Sequence, residues 1–100
     1  MPDLAADRDA IRHVLARYTY NGDRGRVREL AACFAPSGTL EFLGKAATGP
    51  DAIHAALTQG TRDQGPPFVR HHITNPLIEL NGDRAAARSY FTVFTVRIPV

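Results

Sequence analysis

Residues 68–100 read FVRHHITNPLIEL-NG-DRAAARSYFTVFTVRIPV and predict the largest element of the fold. Two arms rich in β-branched and aromatic residues, 68–80 and 83–100, flank Asn81-Gly82. That dipeptide suits a type I′ turn, in which two successive residues take positive φ. We therefore predict a long antiparallel hairpin with a two-residue loop. Pro76 cannot donate a ladder hydrogen bond, so it predicts an edge or a bulge within the first arm.

Two helices are predicted at the N-terminal end of the chain. The first starts at Asp3, which can accept the free amides of the first turn as an N-cap, and then carries an apolar stripe at helical spacing. Asn21-Gly22 predicts its end, because both residues tolerate the left-handed conformation. Asp23 would then lie in a short connection. A second helix is expected from about residue 25 to 34.

The middle of the chain predicts one strand and one further helix. Residues 39–43 partly alternate between apolar and polar side chains, as a short strand does. Residues 44–50 are expected to form a loop, and Gly49-Pro50-Asp51 opens the third helix, where proline suits an early position. Residues 60–67 are polar and rich in turn formers and predict a linker. The order α-α-β-α-β-β indicates an α+β fold with antiparallel strands.

Composition bounds the function. One hundred residues, 44% hydrophobic and 22% charged, predict a single globular domain over residues 1–100. The net charge is only +2, and the arginines are scattered among acids, so we expect no nucleic-acid partner. No run of about 18 apolar residues and no secretory signal is visible, which predicts no membrane partner. A lone cysteine, Cys33, excludes a disulfide framework, and the expected location is cytoplasmic.

Four polar residues stand where a core would favour apolar ones. Tyr18 ends the apolar stripe of the first helix, and Asp23 follows shortly after it. His71 and Asn75 lie an even number of residues apart on the first hairpin arm, so an unbroken strand points both to one face. His72 would point to the opposite face. No metal site is predicted, because no further ligand recurs at a suitable spacing.

The predicted register brings more residues to that face. With a two-residue loop at Asn81-Gly82, Asn75 pairs with Arg88, and residue 73 pairs with Tyr90. Arg88 and Tyr90 would then join His71 and Asn75 as substrate-binding residues. A bulge in the first arm would turn Arg88 and Tyr90 away.

Each candidate also has a purely structural interpretation. Tyr18 can be a packed aromatic residue, and Asp23 can cap the second helix. Asn75 before a proline can shape a turn, while Arg88 can be a solvated strand residue. Spacing alone does not decide between these readings and a functional site.

Six segments occur in order along the chain: AIRHVLARY (10–18), GDR (22–24), LAACFAPSG (30–38), GPDAI (49–53), RHHITNP (70–76) and NGDRA (81–85). In these segments the chain resembles the SnoaL-like division of the NTF2-like superfamily, which includes ketosteroid isomerase, scytalone dehydratase and polyketide cyclases. The resemblance implies a cone in which three N-terminal helices pack on a curved antiparallel sheet. The resemblance covers essentially all 100 residues.

The resemblance also implies catalytic residues and a reaction class. Asp23 and His71 match an aspartate–histidine pair of family dehydratases, Tyr18 matches a tyrosine on the first helix, and Asn75 matches a position of less uniform role. Imidazole titrates near neutral pH and can take a proton from a carbon beside a carbonyl. The implied activity is that of a lyase or isomerase, dehydratase-like or cyclase-like, acting on a small hydrophobic cyclic molecule without metal or organic cofactor.

The sequence leaves the C-terminal end of the fold, the assembly and the function open to alternatives. Relatives usually continue with strands beyond the hairpin, so we expect a chain that is short at its C-terminus and lacks the final strands, or one completed by a partner subunit, with homo-oligomers the expected assembly. The alternative functions are a non-catalytic protein that binds small molecules and a structural subunit resembling the β subunit of ring-hydroxylating dioxygenases. Contact between Asp23 and His71 favours the enzyme, whereas Asp23 turned to solvent favours the alternatives.

Overall fold

The structure, a computed structural model, describes residues 3–59 and 68–96. Helices and antiparallel strands follow one another in a mixed order, which confirms the α+β class. The linker predicted at residues 60–67 lies outside the described residues. In chain order the elements are α1 (Leu4–Asp23), α2 (Val27–Ala31), β1 (Thr39–Phe42), β2 (Lys45–Thr48), α3 (Pro50–Thr58), β3 (Phe68–Asn81) and β4 (Arg84–Val96).

Helix α1 begins as predicted but runs past its predicted end. The Asp3 carboxylate accepts the amide of Ala6 at 3.0 Å, which makes it the N-cap. The end is set by Gly25, whose φ is +72°, with Gly25 and the residue after it donating back to the carbonyls of Gly22 and Asn21 at 3.1 and 2.9 Å. These two bonds are those of a Schellman motif. The prediction of a stop at Asn21-Gly22 is therefore wrong.

Gly22 has a packing role inside the helix instead. A Cβ at this position would come within 2.9 Å of the Leu30 side chain, so glycine lets α2 approach α1 closely. Asp23 is the last residue of α1, so the prediction that it lies in a connection is also wrong. Helix α2 is also shorter than predicted, with five residues.

The predicted loop at residues 44–50 contains a strand. β2 pairs antiparallel with β1, from Thr39 opposite Thr48 to Phe42 opposite Lys45. The turn between them consists of Leu43 and Gly44, with φ of 49° and 75°. Leucine rarely adopts positive φ, so the sequence carries no turn signal there. The loop prediction is wrong for that reason.

Helix α3 confirms its prediction, with Pro50 in the first turn and Ile53 fully buried. Ile53 packs with residues of α2 and β2 in a small core that the three helices and the β1–β2 hairpin share. The buried members are Leu30, Ala31, Ala47 and Ile53, and the partly buried ones are Tyr18, Phe34, Leu40, Ala56 and Leu57.

The long hairpin is present with a different register. Its turn is Gly82-Asp83 rather than Asn81-Gly82, and Asn81 pairs with Arg84. The ladder shifts between Thr74 and Leu77, so the bulge that Pro76 predicts is confirmed. Before the bulge the odd positions of β3 are the more buried, and from Pro76 onward the even positions are. α1 packs along β3, whereas β4 is exposed along its whole length.

Candidate functional site

The C-terminal end of α1 meets the beginning of β3. Asp23 occupies the last position of the helix, and His71 is the fourth residue of the strand. His71 precedes the bulge, so it shares its sheet face with Ile73 and with Phe91, which pairs with Ile73. The ring of Phe91 lies 6.2 Å from the imidazole. The fold thus joins two residues that are 48 positions apart in the chain.

Asp23 holds His71 through both carboxylate oxygens. Oδ1 lies 2.5 Å from Nδ1 of the imidazole, and Oδ2 accepts the backbone N–H of His71 at 2.8 Å. The Asp23 side chain is 4% exposed, and that of His71 is 39% exposed. One bond fixes the position of the strand and the other fixes the rotation of the ring. The predicted contact between the two residues is therefore present.

This arrangement has a chemical consequence. A carboxylate only accepts hydrogen bonds, so Asp23 favours the tautomer of His71 that carries its proton on Nδ1. Nε2 is then the nitrogen that can take a proton, and no hydrogen bond to it is found within residues 3–59 and 68–96. A paired carboxylate also stabilises the imidazolium that forms on protonation. The pair has the geometry of a general base with its orienting acid.

Asp23 and His71 border a cleft of about 480 Å³ between α1 and the start of β3. One wall is formed by α1 and its C-cap residue Arg24, with side chains at the helical spacing of 13, 17, 20 and 24, and β3 contributes residues 70 to 72. The lining residues are His13, Ala16, Arg17, Thr19, Tyr20, Asn21, Asp23, Arg24, Arg70, His71 and His72. The arginines of this wall were missed from the sequence, although their i, i+7 spacing on the helix was visible.

Tyr18 lies on the side of α1 that faces the core. Its ring meets that of Phe34 edge-on at 6.1 Å, and burial, followed by the nearby Cys33 thiol, raises the pKa of its hydroxyl above 10.0. The cleft is lined by the neighbouring Thr19 and Tyr20 and not by Tyr18. Tyr18 is therefore a packed aromatic residue in this structure, as its structural interpretation predicts. Its catalytic role stays a prediction.

The predicted convergence of Arg88 and Tyr90 with His71 is wrong. Because of the bulge and the shifted turn, Arg88 pairs with Leu77, and Tyr90 pairs with Thr74, on the sheet face opposite His71. Asn75 sits in the bulge with φ of +52° and leaves that face too. Asn75, Arg88 and Tyr90 instead line a separate cavity of about 380 Å³ with Leu77 and Ser89. His72 does point away from His71, as predicted, and its ring lies 4.8 Å from that of Phe94.

A family model for the SnoaL-like domain matches residues 3–98. The chain belongs to the SnoaL-like domain family. A solved protein from Catenulispora acidiphila is 28% identical to this SnoaL-like chain, with a TM-score of 0.84 over 95% of this chain and 70% of that one. A proposed scytalone dehydratase from Novosphingobium aromaticivorans is 25% identical, with a TM-score of 0.79 over 96% and 64% of the two chains.

The predicted superfamily is confirmed by a further similar structure. An NTF2-like protein with a cystatin-like fold from Novosphingobium aromaticivorans is 28% identical to the SnoaL-like chain, with a TM-score of 0.78 over 92% of it and 61% of that protein. No curated protein matches the chain. The SnoaL-like family includes dehydratases and isomerases, so family membership alone does not choose a reaction.

The described part of the SnoaL-like chain has neither a cluster of metal ligands nor a membrane-spanning helix. In the part of the chain that the structure describes, no three His, Cys, Asp or Glu side chains are grouped so that they could hold a metal ion. Over the same residues, no helix combines the length and the apolar character needed to cross a bilayer.

Proposed function

We propose that this chain is a cofactor-independent lyase or isomerase in which His71 acts as the general base and Asp23 orients it. The observation that carries the proposal is the 2.5 Å contact between Asp23 Oδ1 and His71 Nδ1, made by a carboxylate that is almost fully buried. A general base requires one imidazole tautomer to be fixed, whereas ligand binding alone does not. The contact therefore weighs against the binding alternative.

The proposed step begins with a carbon acid. Nε2 of His71 accepts a proton from a carbon beside a carbonyl, the C–H bond breaks, and its electron pair moves onto the carbonyl oxygen as an enolate. Asp23 stabilises the imidazolium formed. The enolate then expels a leaving group from the next carbon, which is elimination, or takes the proton back at another carbon, which is isomerisation.

A hydrogen-bond donor to the enolate oxygen would lower the barrier further. Tyr18 is proposed for this role from the family resemblance, and its raised pKa keeps the hydroxyl protonated at neutral pH. Thr19 and Tyr20 also present hydroxyls, and both border the cleft that holds the pair.

Proton exchange with solvent tests the base without knowledge of the product. The protein would be incubated in D₂O with a panel of small cyclic ketones and enones, and deuterium uptake beside the carbonyl followed by NMR. We expect His71→Ala and Asp23→Asn to lower the exchange rate by about 10²- to 10⁴-fold, the usual contribution of a positioned base. His54→Ala, on α3 and away from the cleft, is the control and should exchange at the wild-type rate.

Exchange that is unchanged in both His71→Ala and Asp23→Asn would refute the proposal. If the wild-type protein binds panel members but exchanges none of them, the non-catalytic alternative gains support instead.

A further inference from the structure

The cleft beside the Asp23–His71 pair has an unbalanced charge. Three arginines, Arg17, Arg24 and Arg70, are among its lining residues. Its one carboxylate is that of Asp23, which is 4% exposed and already accepts both N–H groups of His71. A concave surface lined by one sign of charge concentrates ligands of the opposite sign.

The guanidinium groups of two of these arginines are held in place by aromatic rings and backbone carbonyls, which do not neutralise their charge. Arg24 lies over the Tyr20 ring at 3.5 Å and donates one N–H to the Tyr20 carbonyl at 3.0 Å. Arg70 lies over the Phe68 ring at 4.0 Å and donates one N–H to the Val69 carbonyl at 2.7 Å. Neither forms an ion pair with an acidic side chain in the described segments.

Both side chains keep free donors for a ligand. A guanidinium carries five N–H donors in a planar fork, and each of these two uses one of them. Stacking on an aromatic ring restricts the side chain, so less entropy is lost when it binds a partner. The fork matches the two oxygens of a carboxylate, and the Ala16 and Tyr20 side chains between the charges give the cleft apolar wall.

We infer that this cleft binds a small organic carboxylate, with its anionic group at Arg24 and Arg70 and its apolar body against Ala16 and Tyr20. That the bound carboxylate is the substrate rests on the proposed function, because His71 borders the same cleft. The binding itself does not depend on catalysis. The carboxylate holds the molecule at one end, and the carbon acid is presented to His71 at the other.

Benzoate and benzamide are the test probes, because they share a ring and differ in charge. Titration of the full chain, followed by NMR, should show benzoate binding at least about tenfold more tightly than benzamide, with affinity falling as NaCl is raised. The shifted resonances should include the rings of His13 and His71. Inorganic phosphate is the third probe and should bind more weakly than benzoate, because it has no apolar group to contact the side chains of Ala16 and Tyr20.

Arg24→Gln and Arg70→Gln should each weaken benzoate binding by roughly tenfold, since each removes a charge-assisted contact. Arg88→Gln is the matched control and should bind as the wild type does, because Arg88 does not line the cleft and forms an ion pair with Glu79 at 3.1 Å. Circular dichroism of each variant establishes that it is folded, and the wild-type shifts at His13 and His71 test the site even if a variant unfolds.

Equal binding of benzoate and benzamide would overturn the inference, and so would equal losses in Arg88→Gln and the two cleft variants. Phosphate binding as tight as benzoate would overturn the organic class of the ligand. The two proposals fail separately. His71-dependent exchange without benzoate binding removes only the carboxylate site, and benzoate binding without any exchange removes only the catalytic role.

Discussion

Replacing Asp23 by alanine should destabilise the fold as well as the site. The carboxylate accepts two hydrogen bonds from His71 and is 4% exposed, so alanine leaves the backbone N–H of His71 without its acceptor. Hydrogen bonds to charged groups contribute about 1.5–3 kcal/mol each. The lower figure, about 1.5 kcal/mol, applies here because the His71 side chain is 39% exposed. For two hydrogen bonds the expected loss in the free energy of unfolding is then about 3 kcal/mol.

Urea unfolding of the full chain measures this loss. Asp51→Ala is the matched control, because that carboxylate also forms one ion pair, at 2.8 Å to Arg28, but is 97% exposed. Exposed pairs contribute little, so the Asp51→Ala midpoint should stay close to that of the wild type. Asp23→Asn keeps an oxygen for the backbone N–H and should fall between Asp23→Ala and the wild type. If Asp23→Ala unfolds at the same urea concentration as Asp51→Ala, Asp23 does not join α1 to β3 in the way described.

Two other features give predictions of their own. Burial raises the pKa of Tyr18 above 10.0, so the folded state holds the hydroxyl proton more tightly than the unfolded state does. The resulting stability is present below pH 10 and is lost as the pH rises further. Between pH 8 and pH 10.5 the free energy of unfolding in urea should therefore fall less for Tyr18→Phe than for the wild type, and equal losses would contradict this. Asn75 has a φ of +52°, a conformation that glycine adopts easily and alanine does not. Asn75→Gly should therefore keep or slightly raise the urea midpoint, whereas Asn75→Ala should lower the free energy of unfolding by about 1 kcal/mol. A midpoint for Asn75→Ala at or above that of Asn75→Gly would exclude strain at the bulge.

The sequence predicted the elements that have strong local signals. The N-cap of α1, the proline-led start of α3 and the long hairpin all follow from side chains that act on their own backbone. The bulge is of the same kind, because Pro76 lacks the N–H that a regular ladder needs. The pairing of Asp23 with His71 came from the family resemblance and not from local pattern, since 48 residues separate them.

The remaining features depend on competition between signals or on distant contacts. Asn21-Gly22 has the composition of a helix end, but Gly25 supplies the Schellman motif and Leu30 fills the space beside Gly22. The hairpin turn lies one residue beyond Asn81-Gly82, and that shift alone re-pairs every residue of β4. The arginine-lined cleft appears only when α1 lies against β3. Self-association stays a prediction.

The length of α1 determines where the Asp23 carboxylate lies relative to β3. Each residue of an α-helix adds 1.5 Å of rise and about 100° of rotation. Asp23 is the final residue before the Schellman turn, so one residue inserted between the part of α1 that packs on β3 and its end would swing the carboxylate by more than a quarter of a turn. The number of residues between the packed part of α1 and Asp23 is therefore constrained by the need to place the Asp23 carboxylate against the ring and the backbone N–H of His71.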